Sequence, residues 1–429
     1  MDHEDTITKK RLAIGDVRPG MYIVGLDRSW LQTPFLFHRK LIQSNEEIDR
    51  LKRHGIREVV IDPARGVDIA EGRDDNTVRA LHAAGLATED PLAATQAAAV
   101  RPPLSAAELA FQPLVRELDN ARAVREETLT LAQTIFDGVG AGARIDGKIA
   151  AQVVTQLQAS IARSPEANLL LMQMRRFQKD LFTHAVNVCV LALVVATAEN
   201  LGDDIATLGM AALLHDVGET RLPRALLRKS NNFTDAEAGL LKQHPALGAA
   251  LLAQTKGIDP SAQSIVLAHH ERIDGSGYPS GATDLSLYSQ IVALTDSYDD
   301  MLSGRNQSAL QPTEVLRQLY LQANTGTVER DLVEKVIRSL GVYPIGSVVE
   351  LNTGEHGVVV ATNRAAALKP VVRVIMSRSG LVQFNGPIIG LADAAPKDAI
   401  ERRIVGVLDP VKERVDPLVF MRLAPGVLA

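Results

Sequence analysis

Two hydrophobic periods divide this chain. From residue 106 to about 343 apolar positions recur at helical spacing, whereas after Tyr343-Pro344 they alternate with polar ones. The helical part predicts a helix over 180–200 that stops at Gly202, and another over 206–217 that stops at Gly218. Thr234 and Glu237 form a capping box, opening a helix that must bend or restart at Pro245. Asp259-Pro260 breaks the chain before a helix that leads into His269, and further helices cover 287–302 and 313–323. Residues 106–164 read as connecting helices, interrupted near 138–142 by glycines. Alternation in the last part predicts strands at 347–351, 356–361, 371–376 and 381–384.

The first 65 residues read as a small α+β module. Strands at 21–24 and 58–61 flank a helix that opens at Ser44, with Glu47 reaching back, and ends at Gly55. His38 and His54 there have no acidic or histidine neighbour at ligand spacing and read as structural. Residues 66–105 turn Ala- and Pro-rich with few large apolar side chains, the composition of a linker. The fold class is therefore mainly α: a helical domain over 165–343, with the α+β module before it and a small β module over 344–429.

Composition excludes some functions. With 46 Lys and Arg against 51 Asp and Glu, the chain lacks the basic excess of a nucleic-acid binder. The apolar run over 188–198 is too short to span a bilayer and reads as a core helix. The one cysteine, Cys189, forbids an internal disulfide and reads as a buried, inert thiol; no signal peptide is visible, and the expectation is a cytoplasmic protein.

The chemistry lies in the helical domain. His184, His215, His244, His269 and His270 each stand at the end or inner edge of an apolar run. Asp216 follows His215 directly, Asp296 closes the apolar stretch before it, and Asp180 lies one helical turn before His184 on the same side. Five unrelated core histidines are the plainer reading. A carboxylate at an apolar helix surface is costly unless paired or bound to metal, which favours ligands. Imidazoles mixed with carboxylates in this number suit two first-row transition ions better than calcium, magnesium or a single tetrahedral zinc. A carboxylate bridging two such ions is an arrangement that hydrolyses phosphate esters.

At these residues the sequence resembles the HD-GYP domain of the HD phosphohydrolase superfamily. The motifs are His215-Asp216, His244-Pro245, His269-His270-Glu271-Arg272, Asp274-Gly275, Gly277-Tyr278-Pro279 and Asp296. The stretches 26–30 and 33–35 look like the domain of unknown function that often precedes HD-GYP domains in bacteria. The resemblance implies hydrolysis of cyclic di-GMP to linear pGpG or GMP at a centre of two iron or manganese ions, with a third site at Asp180. It implies one metal on His184, His215 and Asp296, a second on His244, His269 and His270, and Asp216 as the bridge. Asp216 and His215 are thus the expected catalytic pair, with Tyr278 lining the substrate pocket and Arg305 contacting a phosphate. It also implies protein partners such as diguanylate cyclases at the Gly-Tyr-Pro loop.

Two positions depart from the pattern. The usual HDxGK reads His-Asp-Val-Gly-Glu, placing Glu219 where a phosphate-binding lysine is expected, and Ser308 replaces a second cation. Glu219 is expected to weaken phosphate binding, since charge-assisted contacts are the stronger kind. Lys229 or Arg272 is the expected compensating cation. The rival readings are a degenerate module that binds nucleotide or protein with little turnover, and a hydrolase of another cyclic dinucleotide.

Overall fold

A computed structural model describes residues 10–19, 21–26, 40–42, 45–53, 56–61, 104–174, 180–229, 232–305, 308–393 and 400–422. The chain divides into two units, 1–101 and 102–429. In the first, strands β1 (Lys10–Ala13), β2 (Tyr22–Leu26), β3 (Lys40–Leu41) and β4 (Glu58–Ile61) form an antiparallel sheet in the order β1-β4-β2-β3. Helix α1 (Asn45–Arg53) packs Ile48 and Leu51 onto Met21, Ile23, Val59 and Ile61. The predicted strands and helix are present. β1 escaped notice because only Leu12 in it is buried, too little for a period-two signal. Ser44, Gly55, His38, His54 and nearly all of the expected linker lie outside the described residues.

The second unit begins with α2 (Ala106–Gly140), capped by Ser105 and Glu108, followed by α3 (Gly147–Arg163) and α4 (Pro165–Met174). Helix α5 (Leu181–Glu199) forms the centre: every residue from Thr183 to Ala196 is buried. That burial on all sides explains a helix apolar and long enough to cross a membrane in a molecule that wraps it in protein. Asn200, in the left-handed conformation, ends it. Around it pack α6 (Ile205–Leu214), α9 (His244–Ala253), α10 (Pro260–Ala268), α11 (Leu287–Ser303), α12 (Pro312–Asn324) and α13 (Arg330–Leu340), with the short α7 (Arg224–Leu227) and α8 (Asp235–Leu241) between α6 and α9. The chain leaves the helix predicted over 206–217 at Leu214 and continues as a 3-10 turn, Val217–Arg221. Its apolar run goes on past the helix end because Val217 is buried in the turn as well.

The last strands, β5 (Val348–Leu351), β6 (His356–Ala361), β7 (Val371–Met376), β8 (Ile388–Gly390) and β9 (Ile404–Leu408), make an antiparallel sheet in the order β8-β7-β6-β5-β9. Helix α14 (Pro417–Arg422) is held on it by buried Arg373, whose guanidinium donates to the carbonyl of Phe420 at 2.7 Å. The strand predicted over 381–384 is absent: only Val382 makes a bridge, to Met376, and Leu381 is exposed, so its apolar residues mark a hairpin end. Helix α2 joins both layers. Phe111, Leu114 and Leu118 pack with Val358, Val360 and Met421 of the β module, while Leu129, Ile135 and Phe136 pack into the helical core.

Because α5 is enclosed, truncating it leaves a void that no neighbour can fill. Leu191→Ala is expected to cost about 2–5 kcal/mol of stability, read as a lower midpoint in denaturant titration.

Candidate metal centre

Five helices deliver the donors to one point. His184 comes from the first turn of α5, His215 ends α6, Asp216 opens the 3-10 turn, and His244 begins α9. His269 ends α10, His270 follows it, and Asp296 sits within α11. All but His270 are buried, and His270 is half-buried.

Backbone hydrogen bonds fix how three of these rings point. His215 Nδ1 lies 2.8 Å from the carbonyl of Ala212, His244 Nδ1 2.7 Å from that of Leu241, and His269 Nδ1 2.6 Å from that of Val266. A carbonyl only accepts, so each Nδ1 carries a hydrogen and, in the neutral ring, Nε2 presents a lone pair. Those lone pairs face one another. His184 and His215 bring Nε2 atoms to 3.2 Å, and His244 and His269 to 3.1 Å. Two lone pairs at that distance repel unless a proton or a cation lies between them.

Asp216 stands between the two pairs. Its Oδ1 is 3.2 Å from His244 Nε2 and 3.6 Å from His269 Nε2, while Oδ2 is 3.7 Å from His184 Nε2 and 3.6 Å from His215 Nε2. Asp296 Oδ1 lies 3.1 Å from His184 Nε2, and Oδ2 3.8 Å from His270 Nδ1. Burial pushes both carboxyls up. For Asp216 the charges of His215 and Arg305 more than reverse it, and for Asp296 the hydrogen bonds of His184 and His215 do, so both sit well below the usual carboxylate range. One ligand atom from each of Asp216, His244, His269 and His270 falls within 4.8 Å of the others; so do those of His184, His215 and Asp216. The donor set thus fits metal ions, with one oxygen of Asp216 directed at each pair.

Two glycines make the approach possible. A Cβ on Gly218 would overlap the carbonyl oxygen of His244 and the backbone nitrogen of Gly248, and one on Gly277 would overlap the backbone of Glu271 and Arg272. Glu271 organises the loop that follows, accepting from the amides of Ser280 (2.7 Å) and Ala282 (3.1 Å). Tyr278 stacks on His270 with centroids 4.7 Å apart, and Lys242 Nζ lies 5.4 Å from its ring centre.

The remaining expected residues divide. Arg305 is at the centre, donating at 2.6 Å to Asp216 Oδ2 and at 2.6 Å to Glu219 Oε2. Asp180 is not brought into the donor groups. Its Oδ1 accepts from the amide of Thr183 at 2.8 Å, capping α5, and the carboxylate grouped with His184 and Asp296 is Asp300. Lys229 is exposed and tied to Glu237 at 2.6 Å, away from the donors. Arg272 spends its guanidinium on the carbonyls of Glu271 (2.9 Å) and His269 (3.4 Å). Asp299 and Asp300 were missed, although they lie three and four residues after Asp296, the spacing that shares a helix face. Lys242 gave no signal, since its place beside Tyr278 depends on how the end of α8 meets the loop between α10 and α11.

Residues 9–150 match a domain of unknown function (DUF3391), residues 166–332 an HD domain, and residues 348–395 a KOW domain associated with HD domains. PA4108 of Pseudomonas aeruginosa, named as a cyclic di-GMP phosphodiesterase, is 30% identical over 404 residues, covering 92% of this chain and 91% of its own. A cyclic di-GMP phosphodiesterase of Thermotoga maritima is 34% identical over 142 residues, 32% of this chain and 39% of that protein. A 3'3'-cGAMP-specific phosphodiesterase of Vibrio cholerae is 31% identical over 134 residues, 30% of this chain and 29% of that protein.

Gly218→Ala would separate the 3-10 turn from α9 and draw His244 away from Asp216. Bound transition metal, counted by elemental analysis, is expected to fall, and turnover to drop about a hundredfold, the usual scale for an ångström of misplacement.

Proposed function

The chain belongs to the HD-GYP family, and from that premise we propose that it opens cyclic di-GMP by metal-dependent hydrolysis, giving pGpG or GMP. The observation that carries the proposal is the pairing of imidazole Nε2 atoms on either side of Asp216, each pair facing its own carboxylate oxygen. Two iron or manganese ions suit this all-imidazole and carboxylate set, His184, His215 and Asp296 serving one and His244, His269 and His270 the other. When bound, such ions activate water and neutralise charge developing on phosphorus. Asp216 holds the two halves in register. Tyr278, stacked over His270, offers a ring against which a base can rest. Arg305, reaching Asp216 from outside the imidazoles, offers a guanidinium to a phosphate oxygen. A buried thiol as the one cysteine suits a cytoplasmic setting.

A second reading has its own support. The relative specific for 3'3'-cGAMP matches 134 residues of this chain, and the reaction on phosphorus would be identical. Competition between the two cyclic dinucleotides in one assay separates them: the better substrate suppresses hydrolysis of the other.

Asp216→Ala removes the bridge from both halves. Turnover is expected to vanish and metal content to fall, and a variant that keeps its turnover rejects the two-metal reading. Arg305→Ala, compared at matched metal loading, is expected to raise KM for cyclic di-GMP about ten- to a hundredfold, the worth of one hydrogen bond to a charged group. An unchanged KM would remove Arg305 from the substrate.

A further inference from the structure

His184 differs from the other buried imidazoles in what fixes it. His215, His244 and His269 each use a carbonyl three residues back. The Nδ1 of His184 instead lies 2.8 Å from Asp299 Oδ2. The other oxygen of Asp299 accepts from Asn187 Nδ2 at 3.0 Å, and Asn187 Oδ1 accepts from Arg125 at 2.7 Å. Exposure along this path is 5% at Arg125, 1% at Asn187, 1% at Asp299 and 2% at His184, so no water substitutes for a lost partner at low cost. Arginine on its oxygen and aspartate on its nitrogen leave the Asn187 amide one orientation. That orientation makes Asp299 an acceptor on both sides, which in the neutral ring puts the His184 proton on Nδ1 and its lone pair on Nε2.

A neutral asparagine between the charges has a consequence. Arginine paired directly with Asp299 would compete with His184 for the carboxylate. Through Asn187 it fixes direction while the negative charge stays against the imidazole, where it raises ligand basicity. Arg125 belongs to α2 and lies outside the HD match at 166–332, within the match at 9–150. It sits between the part of α2 that packs on the C-terminal sheet and the part that packs in the helical core.

We propose that Arg125, Asn187 and Asp299 are positioning residues of the metal centre. They set the tautomer and aim of His184, and so make metal affinity at the His184–His215 end depend on where α2 sits. This rests on the metal-centre reading above.

The test is titration of the metal-free full-length chain with Mn²⁺ alone, followed by calorimetry, with thermal unfolding of each apoprotein alongside. Wild type is expected to take up two ions. In Asn187→Ala, Asp299→Asn and Arg125→Met one site is expected to weaken about 10- to 100-fold, the scale for loss of a partner behind a ligand, while the other stays at its wild-type affinity. Asp299→Asn is isosteric and carries the test if Asn187→Ala does not fold. Asn168→Ala is the control, because Asn168 is as buried and holds Ser160 and Ser164, with no link to His184. Wild-type affinity at both sites in the first three variants overturns the inference and leaves the metal centre standing. So does equal weakening of both sites in Asn187→Ala and Asn168→Ala. A wild type that binds no Mn²⁺ overturns the metal reading itself.

Discussion

Four buried imidazole lone pairs directed at one another govern much of this molecule. In neutral rings the Nε2 contacts of 3.1 and 3.2 Å would be repulsive. Burial lowers the pKa of His184 and His244, but the carboxylates of Asp296 and Asp299 on the one and of Asp216 on the other raise both. Each pair therefore carries a proton, and the helical domain holds the rings at that distance. It does so with hydrogen bonds at the far side of each ring, three of them to backbone carbonyls that cannot move without unwinding a helix end. Folding thus builds the donor arrangement by itself, and a cation bound there would have to displace those protons, so its affinity would rise with pH.

That requirement shapes the surroundings. Gly218 and Gly277 stand where any side chain would collide with backbone, so the turns after Asp216 and after Glu271 approach the donors closely. Burial of α5 on every face supplies the rigid support for His184. Glu271, almost fully buried, uses both carboxylate oxygens to hold the loop that carries Tyr278, which explains a glutamate directly after His269 and His270 that stands outside the donor groups.

Much of the site was legible in the sequence because its donors end apolar runs, a signal that survives without coordinates. His215, His244, His269, His270 and Asp296 all lie where helix periodicity meets polar sequence. Contacts that depend on the crossing of two helices were not legible. Asp180 and His184 share a helix side in sequence, yet the carboxylate turns back to cap its own helix, accepting from the Thr183 amide at 2.8 Å. Lys229 was expected at the centre, but Glu237, placed to cap α8, claims it first. The strand expected over 381–384 failed for a related reason: exposed apolar residues at a hairpin end imitate alternation.

The departure at position 219 looks different once geometry is in hand. A lysine there would bring a positive charge to the mouth of the centre, and Glu219 brings a negative one. Arg305 reverses much of that difference locally, because its guanidinium spans Glu219 and Asp216 at 2.6 Å each. Burial holds the Glu219 carboxyl above its usual range, with Arg305 pulling it down and Asp216 pushing it up. One guanidinium is thus shared by two carboxylates, and under the proposed function the phosphates of an incoming dinucleotide meet neither a free cation nor a bare carboxylate there. Under that proposal substrate charge would be met mainly by the metal ions and by Arg305, once it exchanged a carboxylate for a phosphate. Such an exchange keeps the number of charge-assisted bonds constant. It would therefore favour a phosphate that can approach Asp216 closely over one that merely passes the mouth, whereas a lysine would give general attraction.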